Sequence, residues 1–565
     1  MLFGNKKEEL VVMGTELKKV LDVLNKEPMI VRKELLDVCK NDFINNLKRK
    51  RKEIDDVSRL KNRIESLSLI GEGVVIHQNF FIVFLILPLV SAAFSLLFKE
   101  SDKLILFFSN LFALLYFIIS GLFLFSFKQT STFVVGSWES GIGISLSYDI
   151  FSGVMIFVVG AIYFTGVLYA YPGVTVEKKS IYHFLYNTLF LGLTGAFLTR
   201  DLFNLFVWFE ITLMSSYVLV VLDSSRKRLK SGLKYILLNF ISGLIFLISI
   251  ALIYKFTNTL DFKVLSERLA QLYASDPGLV RSLAICLFGA FAIKSAFFPL
   301  FFWLPESYPK LSAGLSGVLA GLLTKLGLYA MIRVFGQVFP SDLQLFWTIL
   351  ILAILTLLVG VWFAVVQNKL REILSYHIIS QVGFIGVGVS FCLHPDLAIK
   401  KLGFSCSLFY IFHHILVKTN LFFVSGLIRN FAYTEKISRL GGLLKTSPVI
   451  AILFMIPAAS LIGIPPFSGF WAKLGLFKIA TESRLIWIII PMIIGSFFTL
   501  YSMVKIWSGV FWGEYHEFIV SFSKVSIIRS YISCILLCIF TLIISFNPLL
   551  IFKLAQEVGK VGLIY

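Results

Sequence analysis

Acidic residues are scarce in this chain. Its 565 residues hold 33 Asp and Glu against 52 Lys and Arg, and charged residues of both signs reach only 15%. Soluble domains carry about 25% charged residues, so a water-soluble globule is excluded. Cysteine is rare as well: Cys39, Cys286, Cys392, Cys406, Cys534 and Cys538 lie scattered, mostly inside apolar runs and without C-x-x-C spacing. That excludes a zinc or dithiol redox site, and the six read as small core residues. No P-loop and no G-x-S-x-G nucleophile occurs, which argues against independent enzyme chemistry. Neither metal nor cofactor is expected. The first 78 residues are highly charged and lack a signal-peptide core, so the first hydrophobic span must itself direct insertion.

What is abundant is apolar surface. Hydrophobic residues make up 57% of the chain, Phe alone contributes 58, and mean hydropathy is +0.86. These values predict an all-α polytopic membrane protein. The formal charge of +19 comes from cations between apolar spans, where they act as topology signals. Nucleic acid is therefore not an expected partner, whereas the lipid bilayer is.

With roughly 20 apolar residues per crossing, spans fall near 79–99, 103–126, 147–171, 181–199, 201–222, 231–255, 279–300, 311–335, 344–367, 374–394, 402–428, 448–478, 484–511 and 530–552. About fourteen helices result. Lys and Arg are modestly enriched in the 1–2, 3–4 and following odd-numbered loops, which places those loops in the cytoplasm and both termini outside. The strongly basic residues 1–78, with KRKRK at 48–52, sit awkwardly with that orientation. Ile54, Val57, Leu60, Ile64 and Leu67 recur at helical spacing, so 33–69 reads either as an amphipathic helix or as a solvated charged one. Two parts are expected: a charged extension over 1–78 and a transmembrane domain over 79–565.

A charge at the centre of a span costs roughly 2.5–3.5 kcal/mol on insertion scales, so it is retained only with a partner, water or a purpose. Glu210 lies deep in the fifth span, Lys294 in the seventh, Lys325 in the eighth, Lys418 in the eleventh and Lys473 in the twelfth. One carboxylate does not neutralise four lysines. Some must be neutral, hydrated or paired elsewhere, because desolvation disfavours an ammonium and a nearby carboxylate favours it. Such groups suit a proton relay; the alternative is a set of ion pairs that only fixes packing. His414 and Lys418, four residues apart, share a helix face and are placed to exchange a proton directly or through one water. His413, His377 and Lys234 are secondary candidates, His377 reading as a boundary or hydrogen-bonding residue near the start of its span.

Two lysine-bearing spans also carry helix breakers: Pro299 in the seventh, and Pro465 and Pro466, flanked by Gly463 and Gly469, in the twelfth. Non-helical backbone at membrane depth is tolerated where protein buries it or water lines it. Breaks five spans apart fit two inverted five-helix repeats, spans 4–8 and 9–13, with a transport site at their breaks.

The segments IKSAFFPLFFWLPESY, SGVLAGLLTKLGLYAMIRVF, LREILSYHIISQVGFIGVGV, FYIFHHILVKTNLFFVSGLI and LIGIPPFSGFWAKL together resemble the D subunits of Mrp-type multisubunit sodium/proton antiporters. That family is related to the antiporter-like subunits of respiratory complex I and of membrane-bound hydrogenases. The resemblance, over about residues 79–550, implies a fourteen-helix fold with inverted repeats and a line of protonatable groups. It places the family's glutamate on Glu210, its lysine on Lys294, and further relay positions on Lys325, Lys418 with His414, and Lys473. It also implies a cell-membrane location, companion membrane subunits, and protons and sodium as the transported ions. Residues 1–75 match nothing in the family. Three functions stay open from the residues: an antiporter subunit, the energy-converting subunit of a redox complex, and a membrane scaffold without transport.

Overall fold

A computed structural model describes residues 78–126, 130–137, 143–169, 176–222, 226–432, 434–514 and 524–561. The expected N-terminal extension, with its candidate amphipathic helix, lies outside the described residues apart from Gln78. In chain order the described elements are α1 (Val83–Leu97), α2 (Asp102–Ser126), β1 (Ser131–Val134), β2 (Ser145–Tyr148), α3 (Ile150–Leu168), α4 (Val176–Leu198), α5 (Leu202–Val221), α6 (Arg226–Thr257), α7 (Phe262–Ser275), α8 (Pro277–Ser295) and α9 (Trp303–Ser307). They continue with α10 (Ala313–Gln337), α11 (Leu343–Val366), α12 (Leu370–Phe391), α13 (Leu397–Ala432), α14 (Leu443–Thr446), α15 (Pro448–Ile462), α16 (Ser468–Glu482), α17 (Ile489–Val510), α18 (Lys524–Phe546) and α19 (Pro548–Val561).

Thirteen described helices are long and apolar enough to cross a membrane. They match the expected spans to within a few residues at most ends, apart from the twelfth. Residues 448–478 are not one helix: α15 and α16 are separate rods of fifteen residues each. Pro299 likewise does not sit inside a helix, because α8 stops at Ser295 and the proline lies in the following loop. The sequence reading did not foresee the antiparallel hairpin β1–β2, the amphipathic α7 or the terminal α19. None of the three shows the long apolar run on which spans are recognised.

The few acids mostly start helices. Side chains of Asp149, Asp201, Asp276, Asp342 and Asp396 accept backbone N–H groups at the beginnings of α3, α5, α8, α11 and α13. N-terminal N–H groups have no helical partner, so a carboxylate there satisfies them and complements the helix dipole. These are spans 3, 5, 7, 9 and 11, all of which begin on the same membrane face. On the other face Arg226, Lys369 and Lys524 stand at the starts of α6, α12 and α18. The contrast is not uniform, since α2, which begins on that face, starts with Asp102.

The two repeats expected from the breaks are visible in the backbone. Leu202 N–H donates to Leu260 C=O at 2.9 Å and Phe262 N–H to Arg200 C=O at 2.8 Å. Leu370 N–H donates to Glu435 C=O at 2.9 Å and Ile437 N–H to Asn368 C=O at 3.0 Å. Each pair ties the start of a repeat's second helix to the segment after its third, as an isolated antiparallel bridge. Five spans separate the bridges, so they lie on opposite membrane faces and the second repeat is inverted. An arginine and a carboxylate meet beside each: Arg200 with Asp149 at the first, Arg371 with Glu435 at the second. α10, α12 and α13 are almost wholly buried, whereas α1, α2 and α6 expose long apolar faces such as Leu97, Phe107 and Leu237.

Candidate proton-transfer site

Glycines set how closely the site's helices approach. A side chain at Gly327 of α10 would run into Ser295 of α8, one at Gly321 of α10 into Thr419 of α13, and one at Gly469 of α16 into the Ser460 carbonyl of α15. Small residues at crossings let helix backbones pack tightly in a membrane. The buried ionisable side chains of α8, α10, α13 and α16 are thereby gathered into one interior.

Glu210 projects from α5, and Gly243 of α6 leaves it space, since a Cβ there would stand 2.8 Å from Oε1. Lys294, on the last turn of α8, brings Nζ to 3.5 Å from that Oε1 and lies 5.3 Å from the centre of the Phe209 ring. This is an ion pair at contact range but too long for a good hydrogen bond. The lysine is buried while the glutamate side chain remains 24% exposed. Lys325 is fully buried in α10 and donates to the Ala320 carbonyl at 2.8 Å. Lys418 of α13, also fully buried, reaches the Leu374 carbonyl of α12 at 3.3 Å. Lys473 of α16 turns back to the end of α15, donating to the carbonyls of Ile462 at 2.6 Å and Leu461 at 3.4 Å, with the Phe384 ring 5.0 Å away.

Among the described residues, Glu210 is the one acid within ion-pair distance of any of these four lysines. The histidines fill the intervals. His414 is within electrostatic reach of Lys325 and Lys418, and His377 of Lys418 and Lys473. His413 faces Lys473 and Lys418 and meets Ser468 Oγ with Nδ1 at 2.8 Å. Both nitrogens of His377 and of His414 have no hydrogen-bond partner in the described chain. His377 is therefore a buried member of the interior rather than a boundary residue. It lies two turns into α12, whose N-cap Lys369 is exposed, and is itself fully buried. His414 and Lys418 share a face as expected, but no direct hydrogen bond joins them. Lys234 lies apart, half-exposed and paired with Glu306 at 2.6 Å.

Sequence reading passed over a second buried charge group. Arg333 of α10 holds Asp149 through two hydrogen bonds, Nη1 to Oδ2 at 2.8 Å and Nη2 to Oδ1 at 2.9 Å, and Arg200 Nη2 adds a third at 2.6 Å. Burial alone would raise the Asp149 carboxyl, but the Arg200 and Arg333 guanidiniums hold it well below the usual carboxylate range. The available signal was Arg333 itself, a further charge inside an apolar run. Gln381 and Tyr410, hydrogen-bonded at 2.7 Å, also line the interior. A separate cavity of about 130 Å³ beside Phe157, Phe412 and Phe540 is lined by apolar atoms alone and holds none of these groups.

Residues 199–499, which contain every relay candidate, match the family described as NADH:quinone oxidoreductase/Mrp antiporter, transmembrane. The D subunit of the Na(+)/H(+) antiporter of Alkalihalophilus pseudofirmus is 39% identical over 382 residues, covering 67% of this chain and 76% of that one. The D subunit of the Na(+)/H(+) antiporter of Bacillus subtilis is 34% identical over 453 residues, covering 78% and 88%. Among solved structures, the Mrp complex from Dietzia sp. DQ12-45-1b superposes with TM-score 0.78 at 28% identity, covering 86% of this chain and 97% of that one. The membrane-bound sulfane sulfur reductase, an archaeal respiratory membrane complex, superposes with TM-score 0.77 at 26% identity and the same coverage.

Proposed function

We propose that this chain, which belongs to the NADH:quinone oxidoreductase/Mrp antiporter membrane family and to its Na(+)/H(+) antiporter D subunits, carries protons through a multisubunit antiporter of the cell membrane along Glu210, Lys294, Lys325, His414 with Lys418, and Lys473. The observation that carries the reading is the imbalance of the interior: four buried lysines and three buried histidines with one carboxylate in ion-pair reach, at 3.5 Å from Lys294. A packing device would pair its charges, because unpaired buried charges are costly. A relay needs groups that gain and lose a proton in turn.

When Glu210 and Lys294 approach, both favour their ionised forms; when they part, the lysine releases its proton to the next group. Lys325 and Lys418 lie within electrostatic reach of one another. Charge on either therefore disfavours charge on the other, and protonation advances stepwise. Buried polar atoms such as the His377 and His414 nitrogens call for partners, and water supplies them between fixed side chains.

Sodium fits this chain poorly. A hard cation takes several oxygen ligands, and no group of three or more His, Cys, Asp or Glu suited to an ion is found among the described residues. We assign the sodium route to companion subunits. Glu210→Ala and Lys294→Ala are each expected to abolish proton-coupled exchange in vesicles containing the assembled complex while leaving assembly intact. Normal exchange in both variants overturns the relay. The likeness to a respiratory complex supports a second reading, a redox-driven pump subunit. Co-purified iron–sulfur partners would favour it, and antiporter companions the first.

A further inference from the structure

The second break holds a cluster that the relay leaves unused. His413 Nδ1 lies 2.8 Å from Ser468 Oγ, on the first turn of α16, and 3.5 Å from Ser460 Oγ, on the last turn of α15; the two hydroxyls are 2.7 Å apart. All three side chains are buried. Ser468 N–H donates to Ser545 Oγ of α18 at 2.9 Å, and Gly469 admits no side chain because the Ser460 carbonyl and the His413 ring fill that space. One imidazole and two hydroxyls thus join two half-helices that are otherwise linked by five residues of irregular backbone and by Lys473 on the Leu461 and Ile462 carbonyls. The first break is joined differently, by Trp303 Nε1 donating to the Ile293 carbonyl at 3.0 Å, a group that does not titrate.

We propose that His413, Ser460 and Ser468 form a protonation-sensitive clasp that sets how α15 meets α16, and with it whether the Lys473 ammonium stays docked on the Leu461 and Ile462 carbonyls. The proposal rests on the relay reading in one respect only, that Lys473 carries protons. Ser460 and those two carbonyls belong to the same turn of α15, while Ser468 and Lys473 belong to the first two turns of α16, so a change in the clasp moves the donor relative to its acceptors.

The chemistry follows from counting hydrogens. With His413 neutral and Nδ1 an acceptor, Ser468 donates to Nδ1 and Ser460 donates to Ser468. When His413 gains a proton, Nδ1–H donates to Ser468 Oγ, the Ser468 hydrogen turns to Ser460, and the Ser460 hydrogen must leave the pair. The lysines within electrostatic reach of His413 are Lys473 on α16 and Lys418 on its own helix, and His414 is coupled to it as well. Its other neighbours on α13 are His414 and the Tyr410 ring, and His377 of α12 faces the same two lysines. A proton passing from Lys473 to His413 leaves a neutral amine and keeps the total charge. A proton arriving from elsewhere sets two cations side by side and expels the lysine from its carbonyls. Either event changes the docked state.

The test uses the whole complex with a single reporter, Ile464→Cys, in a chain whose native cysteines are replaced by serine. Ile464 lies in the break and is 42% exposed. Maleimide labelling, divided at each pH by that of the unfolded chain to remove thiolate ionisation, is expected to change about fivefold across one titration, the worth of one neutral hydrogen bond. Ser468→Ala and His413→Gln should each flatten that titration, and Ser460→Thr, which keeps the hydroxyl, should preserve it. Where the reporter does not react, the acidic limb of the antiport pH profile decides, with a displacement of about 0.7 pH unit expected in Ser468→Ala. Where Ser468→Ala fails to assemble, His413→Gln alone decides. A corrected labelling ratio that ignores pH in the parent chain, or a titration or acidic limb unchanged in His413→Gln, overturns the clasp. Failure of the relay reads out separately, as normal antiport in both Glu210→Ala and Lys294→Ala.

Discussion

At residues 292–300 and 459–467 the backbone follows one course. The N–H groups of Ala296 and Gly463, both left-handed at φ 61° and 89°, close the last turn of α8 and of α15. The next N–H, Phe297 or Ile464, returns to the carbonyl five residues back, and Leu300 or Phe467 closes a short turn around a cis proline, Pro299 or Pro466. The lysines differ. Lys294 stands on the half-helix before the break and pairs with Glu210; Lys473 stands after it and reaches back. Leu461, whose carbonyl receives Lys473, is the position that Lys294 occupies in the other half. Both halves thus bring an ammonium to the end of the first half-helix, where the helix dipole favours a cation. Among the described residues only the first half adds a carboxylate, so its ammonium meets an ion-pair partner, whereas that of the second half meets backbone carbonyls and lies near His413.

The strongest test of this contrast replaces each lysine by arginine, which stays charged. Lys294→Arg keeps a partner for Glu210, so assembly should survive while exchange falls about a hundredfold or more, as expected when a proton-transfer group is lost. Lys473→Arg should produce a fall of the same order. If exchange persists in Lys473→Arg, the second lysine is a fixed charge and the two halves do not share a mechanism.

A smaller effect separates the two caps. A left-handed conformation costs a residue with a Cβ roughly 1–2 kcal/mol, so Gly463→Ala should lower the melting temperature of the purified complex. It should also slow exchange, because its Cβ would lie 3.0 Å from Lys473 Cδ. Ala296→Gly relieves that strain but gives the unfolded chain more freedom, an offset of about 0.5–1 kcal/mol. Its melting temperature should barely move. Equal losses from both changes would mean that the two breaks are not equivalent turns.

Spans were legible because length and hydropathy suffice to define a crossing, and Glu210, Lys294, Lys325, Lys418 and Lys473 stood out as charges inside apolar runs. The bridges were not legible: they consist of backbone hydrogen bonds between residues of no special type, such as Leu202 and Leu260. Ser460 and Ser468 looked like ordinary small residues until α13 set His413 against them. Asp149 and Arg333 are 184 residues apart, and neither has a neighbour in sequence that announces the other. His377 shows the limit of reasoning from position within a helix: two turns beyond the exposed Asn368 and Lys369, α12 is already buried.

The charge clamps beside the two bridges allow the finest comparison, through pH. Asp149 is held low by two arginines, so its contribution to folding is complete above the ordinary carboxylate range and is lost progressively from that range down to its lowered native value. Between about pH 7 and pH 5 the melting temperatures of the parent complex and of Asp149→Asn should therefore differ by a constant amount. Below the usual carboxylate range the gap should close, because the unfolded parent chain binds a proton that the native Asp149 still refuses. A gap that stays constant down through the usual carboxylate range would show that Asp149 titrates alike in the folded and unfolded chain, as an ordinary surface acid does. The first bridge would then rest on its backbone hydrogen bonds and not on a standing ion pair.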